Sequence, residues 1–188
     1  MLVWLKSPQA QNREFLLLDR DGVFNRNSPD YVKNIAEVHF YPDALEALAI
    51  LNRKNVSVII ISNQSGINRG LIPWDDFWEM HDGVIEKVEE CGGDILAAFY
   101  CPHRPDENCE CRKPLPAMIL AACRQFGIDP GETCFIGDSD TDVQAAQNAG
   151  CRAIRILREG AGPEEPRGSG VPLYSNLLEA VRDLYGKR

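Results

Sequence analysis

Apolar runs that end on a polar residue recur along this chain. Phe15 to Leu18 stops at Asp19, and Val56 to Ile61 stops at Ser62 and Asn63. Asp94–Tyr100, Thr133–Asp138 and Cys151–Leu157 have the same character. Unbroken apolar runs bounded by turn residues predict strands buried on both faces. Between them the spacing becomes helical. Leu45, Leu48 and Leu51 share a stripe in a segment opened by Pro42 and Asp43. Phe77, Val84, Val88 and Cys91 form the next stripe, which stops at Gly92-Gly93. Further helices are expected up to Gly127, up to Gly150 and at the C-terminal end. Strands alternating with helices predict βαβ units and a mainly parallel sheet, which binds ligands beyond the carboxyl ends of its strands. The stretch "REGAGPEEPRGSG", Arg158 to Gly170, is expected to be a loop.

Bulk properties then narrow the function classes. The 188 residues suit one α/β domain spanning 1–188, with no insert large enough for a separate cap domain. A formal net charge of -8 disfavours nucleic acid as a partner. An acidic chain that takes a small anionic substrate must gather positive charge locally. No apolar run approaches the ~20 residues of a membrane-spanning helix. The first residues lack the long apolar centre of a signal peptide. The expectation is a cytoplasmic protein, with monomer as its expected state. Seven cysteines, an odd number in a chain long enough to bury its own core, argue against a disulfide framework.

The strand ends carry the candidate chemistry. Asp19 and Asp21 follow the first run in "DRDGV", Ser62 and Asn63 the second, and Asp138 and Asp142 the fourth in "GDSDTD". In a parallel sheet all three sets project from one edge. Converging carboxylates repel unless a cation sits among them, and hard oxygen ligands select Mg²⁺. Asp19 is then a candidate nucleophile toward phosphorus. Asp21 is placed to protonate the leaving oxygen and later to deprotonate water. Lys113 and the Ser62 hydroxyl are candidates to hold the transferred phosphoryl group. The competing reading makes single acids helix caps, with Asp138 or Asp140 capping the helix after "GDSDTD". The joint order of DxDG, S-N, R-K-P and GDxxxD is what capping does not explain.

On these four motifs the chain resembles the haloacid dehalogenase superfamily of phosphatases, over about Phe15 to Leu157. The resemblance implies a Rossmann-like α/β/α fold, Mg²⁺ dependence and an Asp19 nucleophile. It implies Mg²⁺ bound by Asp19, by the backbone carbonyl of Asp21 and by Asp138, with Asp142 behind the ligands.

"CPHRPDENCECRKP" reads C-x-H-x₅-C-x-C over Cys101, His103, Cys109 and Cys111. Three thiolates and an imidazole make a closed tetrahedral zinc shell, and a closed shell is structural. A chance cysteine loop or a Cys101–Cys109 disulfide is the alternative, weakened by four soft ligands clustering so tightly. Zinc at Cys111 would also decide where Arg112 and Lys113 point. Cys91, Cys123, Cys134 and Cys151 are expected in the core, and His81 partly buried or solvated on its helix.

The zinc-loop subgroup of the family contains two activities. One removes the 7-phosphate of D-glycero-D-manno-heptose 1,7-bisphosphate, on the way to nucleotide-activated heptose for lipopolysaccharide or other glycans. The other acts on histidinol phosphate. "SNQSGINRG" and "DRDGVFN" with a nearby "DYV" look like the first. That likeness makes Asn63, Gln64, Ser65, Arg112, Asn27 and Tyr31 expected substrate contacts. The reading from another class is a catalytically silent zinc-bearing binding module.

Overall fold

The computed structural model describes residues 1–6, 14–158 and 170–186. Strands β1 (Leu2–Leu5), β2 (Glu14–Leu18), β3 (Val56–Asn63), β4 (Ile95–Cys101), β5 (Cys134–Gly137), β6 (Arg152–Ile156) and β7 (Leu173–Tyr174) form one sheet in the order β1-β4-β3-β2-β5-β6-β7. All neighbours are parallel except β1 against β4. Helices α1 (Pro42–Arg53), α2 (Trp74–Glu90), α3 (Ala117–Phe126), α4 (Asp140–Ala149) and α5 (Leu177–Tyr185) cover it. Among the described residues no helix is long and apolar enough to cross a membrane.

The strands were legible because both sheet faces are covered. Leu16, Leu18, Val58 and Ile60 pack on the side of α1, α2 and α5, while Leu17, Ile59 and Ile61 pack on the side of α3 and α4. Alternate residues thus enter two different cores, and each must be apolar. Two strands went unread. β1 has only four residues, at the antiparallel edge, and β7 has only two. The expected loop at 158–170 lies outside the described residues except for Arg158 and Gly170.

Two side chains depart from expectation. Cys91, expected in the core, is exposed, because it follows the last turn of α2 as its C-cap. His81 is fully buried rather than partly so, and its Nδ1 lies 2.9 Å from the Tyr100 hydroxyl. Burial pushes His81 down to about 4, so it packs as a neutral ring against Trp4 and Trp78.

The chain leaves β2 toward β3 and β4 on one side and returns to β5 on the other. This switch point opens a crevice at the carboxyl ends of β2, β3 and β5, where a doubly wound sheet binds ligands.

Candidate active site

Asp19 directly follows β2, Ser62 and Asn63 end β3, and Asp138 directly follows β5. Parallel pairing brings them to one edge. The turn after Asp19 depends on Gly22, whose φ is +84°. A Cβ there would lie 1.9 Å from Asp138 Oδ2, so a side chain would displace that carboxylate. Asp142 is reached differently. Ser139, not Asp138 or Asp140, caps α4, in a reciprocal capping box with Asp142. That box presses the Asp142 side chain against Gly137, where a Cβ would sit 2.2 Å from Asp142 Cβ.

Lys113 joins these groups from the loop between β4 and α3. Its Nζ lies 3.0 Å from Asp19 Oδ1 and 2.6 Å from Asp142 Oδ1, and it donates to the Ile61 carbonyl at 2.9 Å. Burial would favour a neutral amine, but the two carboxylates override it and keep Lys113 charged. Its backbone is held as firmly. Asn63 Oδ1 accepts from the Lys113 N–H at 3.1 Å, and Asn63 Nδ2 donates to the Lys113 carbonyl at 3.2 Å. The amide expected to meet substrate is therefore occupied in positioning Lys113.

One lysine does not balance three acids. Asp19, Asp138 and Asp142 each place an oxygen within 4.8 Å of the others. Burial, aided by repulsion from its neighbours, raises Asp138 to about 8 and Asp19 to about 6. A carboxylate set that resists ionising together fits a hard divalent cation, and Mg²⁺ suits it. The folded protein holds protons that an unfolded chain, with carboxyls near 3.8, has already released. Stability without Mg²⁺ should therefore fall as pH rises from about 4 to about 8, the two carboxyls outweighing neutral His81, which works the other way below about 6.5. Added Mg²⁺ should raise the melting temperature more at pH 8 than at pH 5. Thermal melts with and without Mg²⁺ check this; a Mg²⁺-free melting temperature that climbs over that range would contradict it.

Asp21 faces away from this cluster. Its carboxylate accepts from Arg20 Nε at 3.2 Å, Arg20 Nη2 at 3.0 Å, Asn25 Nδ2 at 2.8 Å and Gln64 Nε2 at 2.7 Å. Burial alone would raise Asp21, but the Arg20 guanidinium and these donors hold it below the usual carboxylate range.

Asp19, Asp21, Asn27, Tyr31, Ser62, Asn63, Gln64, Arg112, Lys113 and Asp138 all line one cavity of about 230 Å³, lined also by Arg20, Ser28, Val32, Ser139 and Thr141. Ser65, expected to meet substrate, is not in this lining, and its hydroxyl lies 3.2 Å from the Tyr31 hydroxyl. Tyr31 is held at φ 63°, an uncommon conformation for a bulky residue. Arg112 donates to the His103 carbonyl at 3.1 Å, which ties the cavity wall to the cysteine loop.

That loop brings its ligands together. Cys101 Sγ lies 3.4 Å from His103 Nδ1, 3.6 Å from Cys109 Sγ and 3.4 Å from Cys111 Sγ. Cys111 Sγ lies 3.3 Å from His103 Nδ1 and 3.8 Å from Cys109 Sγ. A tetrahedron with Zn–S bonds of ~2.3 Å has edges of roughly 3.8 Å, close to these spacings. All seven cysteines are free, so no Cys101–Cys109 disulfide forms.

Two arginines escaped sequence reasoning. Arg20 lies between Asp19 and Asp21 in "DRDGV", where the sequence assigns it no role. Arg158 sat in a presumed loop, yet it donates to the Gly22 and Val23 carbonyls at 3.3 and 2.7 Å, pairs with Asp43 at 3.0 Å and stacks 3.3 Å above the Tyr41 ring. It pins the turn after Asp19 from 136 residues away. No local pattern marks such a partner.

Residues 2–150 match the model of the haloacid dehalogenase-like hydrolases. The D-glycero-beta-D-manno-heptose-1,7-bisphosphate 7-phosphatase of Pseudomonas aeruginosa is 37% identical over 92% of this chain and 98% of its own. The enzyme of the same name from Bordetella bronchiseptica is 38% identical over 88% of this chain and 92% of its own. The crystal structure of the D,D-heptose 1,7-bisphosphate phosphatase of B. bronchiseptica, complexed with magnesium and phosphate, superposes with a TM-score of 0.84 at 34% identity. It covers 93% of this chain and 99% of that one.

Proposed function

This chain belongs to the haloacid dehalogenase-like hydrolase family, and on that premise we propose that it removes the 7-phosphate of D-glycero-D-manno-heptose 1,7-bisphosphate. The β anomer is the preferred substrate, as in the names of the relatives at 37% and 38% identity. The product feeds nucleotide-activated heptose synthesis. The observation that carries the reading is the meeting of Asp19, Lys113 and Asp138 in the cavity that Tyr31 and Arg112 flank.

Mg²⁺, supported by the magnesium-bound relative, would be held by Asp19, the Asp21 carbonyl and Asp138, where it would neutralise phosphoryl charge. Every other role falls to side chains. An Asp19 oxygen attacks phosphorus, and the bond from phosphorus to the sugar oxygen breaks. Asp21 gives its proton to that oxygen. An incoming phosphoryl dianion raises the Asp21 carboxyl by like-charge repulsion and so favours the protonated form this step needs. Water then attacks the aspartyl phosphate. Asp21 takes the proton from that water, and phosphate and free Asp19 are restored. Lys113 and Ser62 hold the phosphoryl oxygens throughout. Asn27, Tyr31 and Arg112 recognise the rest of the sugar phosphate.

The cysteine loop holds one structural Zn²⁺ and so aims Arg112 and Lys113. Metal analysis of purified protein should find about one zinc per chain, and an active, folded sample with almost none would refute it. For the substrate, kcat/KM is measured on both anomers of the heptose bisphosphate and on histidinol phosphate. The β anomer should lead; a large preference for histidinol phosphate would overturn the assignment. No phosphate release from a broad sugar-phosphate panel would return the chain to the class of silent zinc-bearing modules.

A further inference from the structure

The geometry points to Arg20 and Gln64 as positioning residues, a buried bracket that fixes where the Asp21 carboxylate and the Ser62 hydroxyl sit. The inference rests on the proposed roles of Asp21 and Ser62. Both residues also line the cavity, and the role argued for them acts through Asp21 and Ser62.

Both side chains are almost wholly buried, at 2% exposure for Arg20 and 4% for Gln64. Gln64 was expected to read the substrate, but its amide is already spent. Its Oε1 accepts from Arg20 Nη2 at 3.0 Å. Its Nε2 donates to Asp21 Oδ2 at 2.7 Å and to Ser62 Oγ at 3.1 Å. The amide has only one workable orientation, because a guanidinium demands an acceptor and a carboxylate demands a donor.

That orientation has a consequence for Ser62. Its oxygen accepts the second Nε2 hydrogen, so its own proton must point elsewhere. It bonds to Asp19, on the side where the phosphoryl group would arrive. Gln64 therefore sets the hydroxyl rotor of one active-site group and the tilt of another. It does so from the loop after β3, while both acids sit after β2.

Arg20 fixes the other end. Its Nε and Nη2 grip both oxygens of Asp21 as a fork, which sets the plane of the carboxylate. Its remaining nitrogen, Nη1, has no hydrogen-bond partner among the described residues. A buried arginine serving only packing would gain by satisfying that donor. Here the fork is turned to favour Asp21 and Gln64 instead. Behind it stands Tyr100, itself bonded to His81, with its hydroxyl beside the guanidinium. A charge-preserving lysine cannot reproduce the fork.

The test uses leaving groups. A sugar alkoxide must be protonated as it departs, whereas p-nitrophenolate leaves without help. A bracket that aims Asp21 matters for the first and little for the second. The full-length, Mg²⁺-loaded Arg20→Lys protein is assayed on heptose 1,7-bisphosphate and on p-nitrophenyl phosphate. Rates are taken in the first turnover, so that hydrolysis of the shared aspartyl phosphate does not mask the difference. The expected loss on the sugar phosphate is roughly 100-fold in rate with KM little changed, as misplacement of a catalytic group produces. The loss on p-nitrophenyl phosphate should be about tenfold smaller or less. Gln64→Met, of similar volume, attacks the bracket from its other end and keeps the test alive should Arg20→Lys fold poorly. It should lower both rates through Ser62, the sugar phosphate more. Equal losses on the two substrates, or no loss on the sugar phosphate, would overturn the inference. Wild-type protein that turns over other alkyl phosphates but not heptose bisphosphate would sink the substrate assignment alone. The same leaving-group comparison then runs on those esters.

Discussion

Asp19→Asn should abolish phosphate release from every ester the protein hydrolyses, by roughly 10⁴-fold or more, the scale seen when a catalytic nucleophile is removed. An amide cannot form the acyl phosphate, and the neighbouring carboxylates have other work, Asp138 being the expected Mg²⁺ ligand beside it. Asp142 is tied to Ser139 and Lys113, and Asp21 is turned into the Arg20 fork. The same change should leave the fold intact and raise the melting temperature without Mg²⁺. Asp19 is buried among like charges that push it up to about 6, so its ionised form strains the folded protein at neutral pH. Loss of activity with retained or increased stability is the mark of a strained site. Phosphate-release kinetics and thermal melts on one preparation check both halves. A variant keeping more than a few per cent of wild-type activity would remove Asp19 from the mechanism.

Lys113→Met carries the second large effect, with the opposite stability outcome. Methionine fills the space but leaves Asp19 and Asp142 facing each other without the cation between them. Removing one partner of a buried ion pair costs about 3–5 kcal/mol. Excess Mg²⁺ should recover part of that loss by supplying positive charge nearby. It should not restore turnover, because nothing then replaces the ammonium that meets the phosphoryl oxygens. A rate loss of about 10²–10³-fold is expected, as for removal of one preorganised donor. Melts and kinetics at several Mg²⁺ concentrations separate the two effects. Full recovery of rate by Mg²⁺ would mean that Lys113 only balances charge.

These two variants rest on residues that were visible early. Asp19, Ser62 and Asp138 each interrupt or end an apolar run, and a buried parallel strand tolerates such an interruption only at its end. Cys101, His103, Cys109 and Cys111 were readable because their spacing is local. The loop closes over 11 residues and owes little to the rest of the fold. Cys91 shows where periodicity misleads. It continues the apolar stripe of α2, yet the helix has ended there and the side chain faces outward.

The roles of Asn63, Gln64 and Ser65 changed most. All three were expected to face substrate from the likeness of "SNQSGINRG" to the heptose enzyme, and Asn63 and Gln64 do line the cavity while Ser65 does not. Asn63 bonds the backbone of Lys113, Gln64 the Arg20–Asp21 bracket and Ser65 the hydroxyl of Tyr31. Each partner lies 34 to 50 residues away, so no window along the chain could reveal it.

The chain alone determined the alternation of strands and helices, the edge on which the carboxylates meet and the four residues that gather in the cysteine loop. Those depend on periodicity and short spacing, which are local properties. Only the tertiary structure decided which polar groups around the cavity are engaged with one another. A side chain's hydrogen-bond partners are settled by how distant strand ends pack. Arg20 sits between two acids in the sequence, and only the packing of β3 brings Gln64 against it.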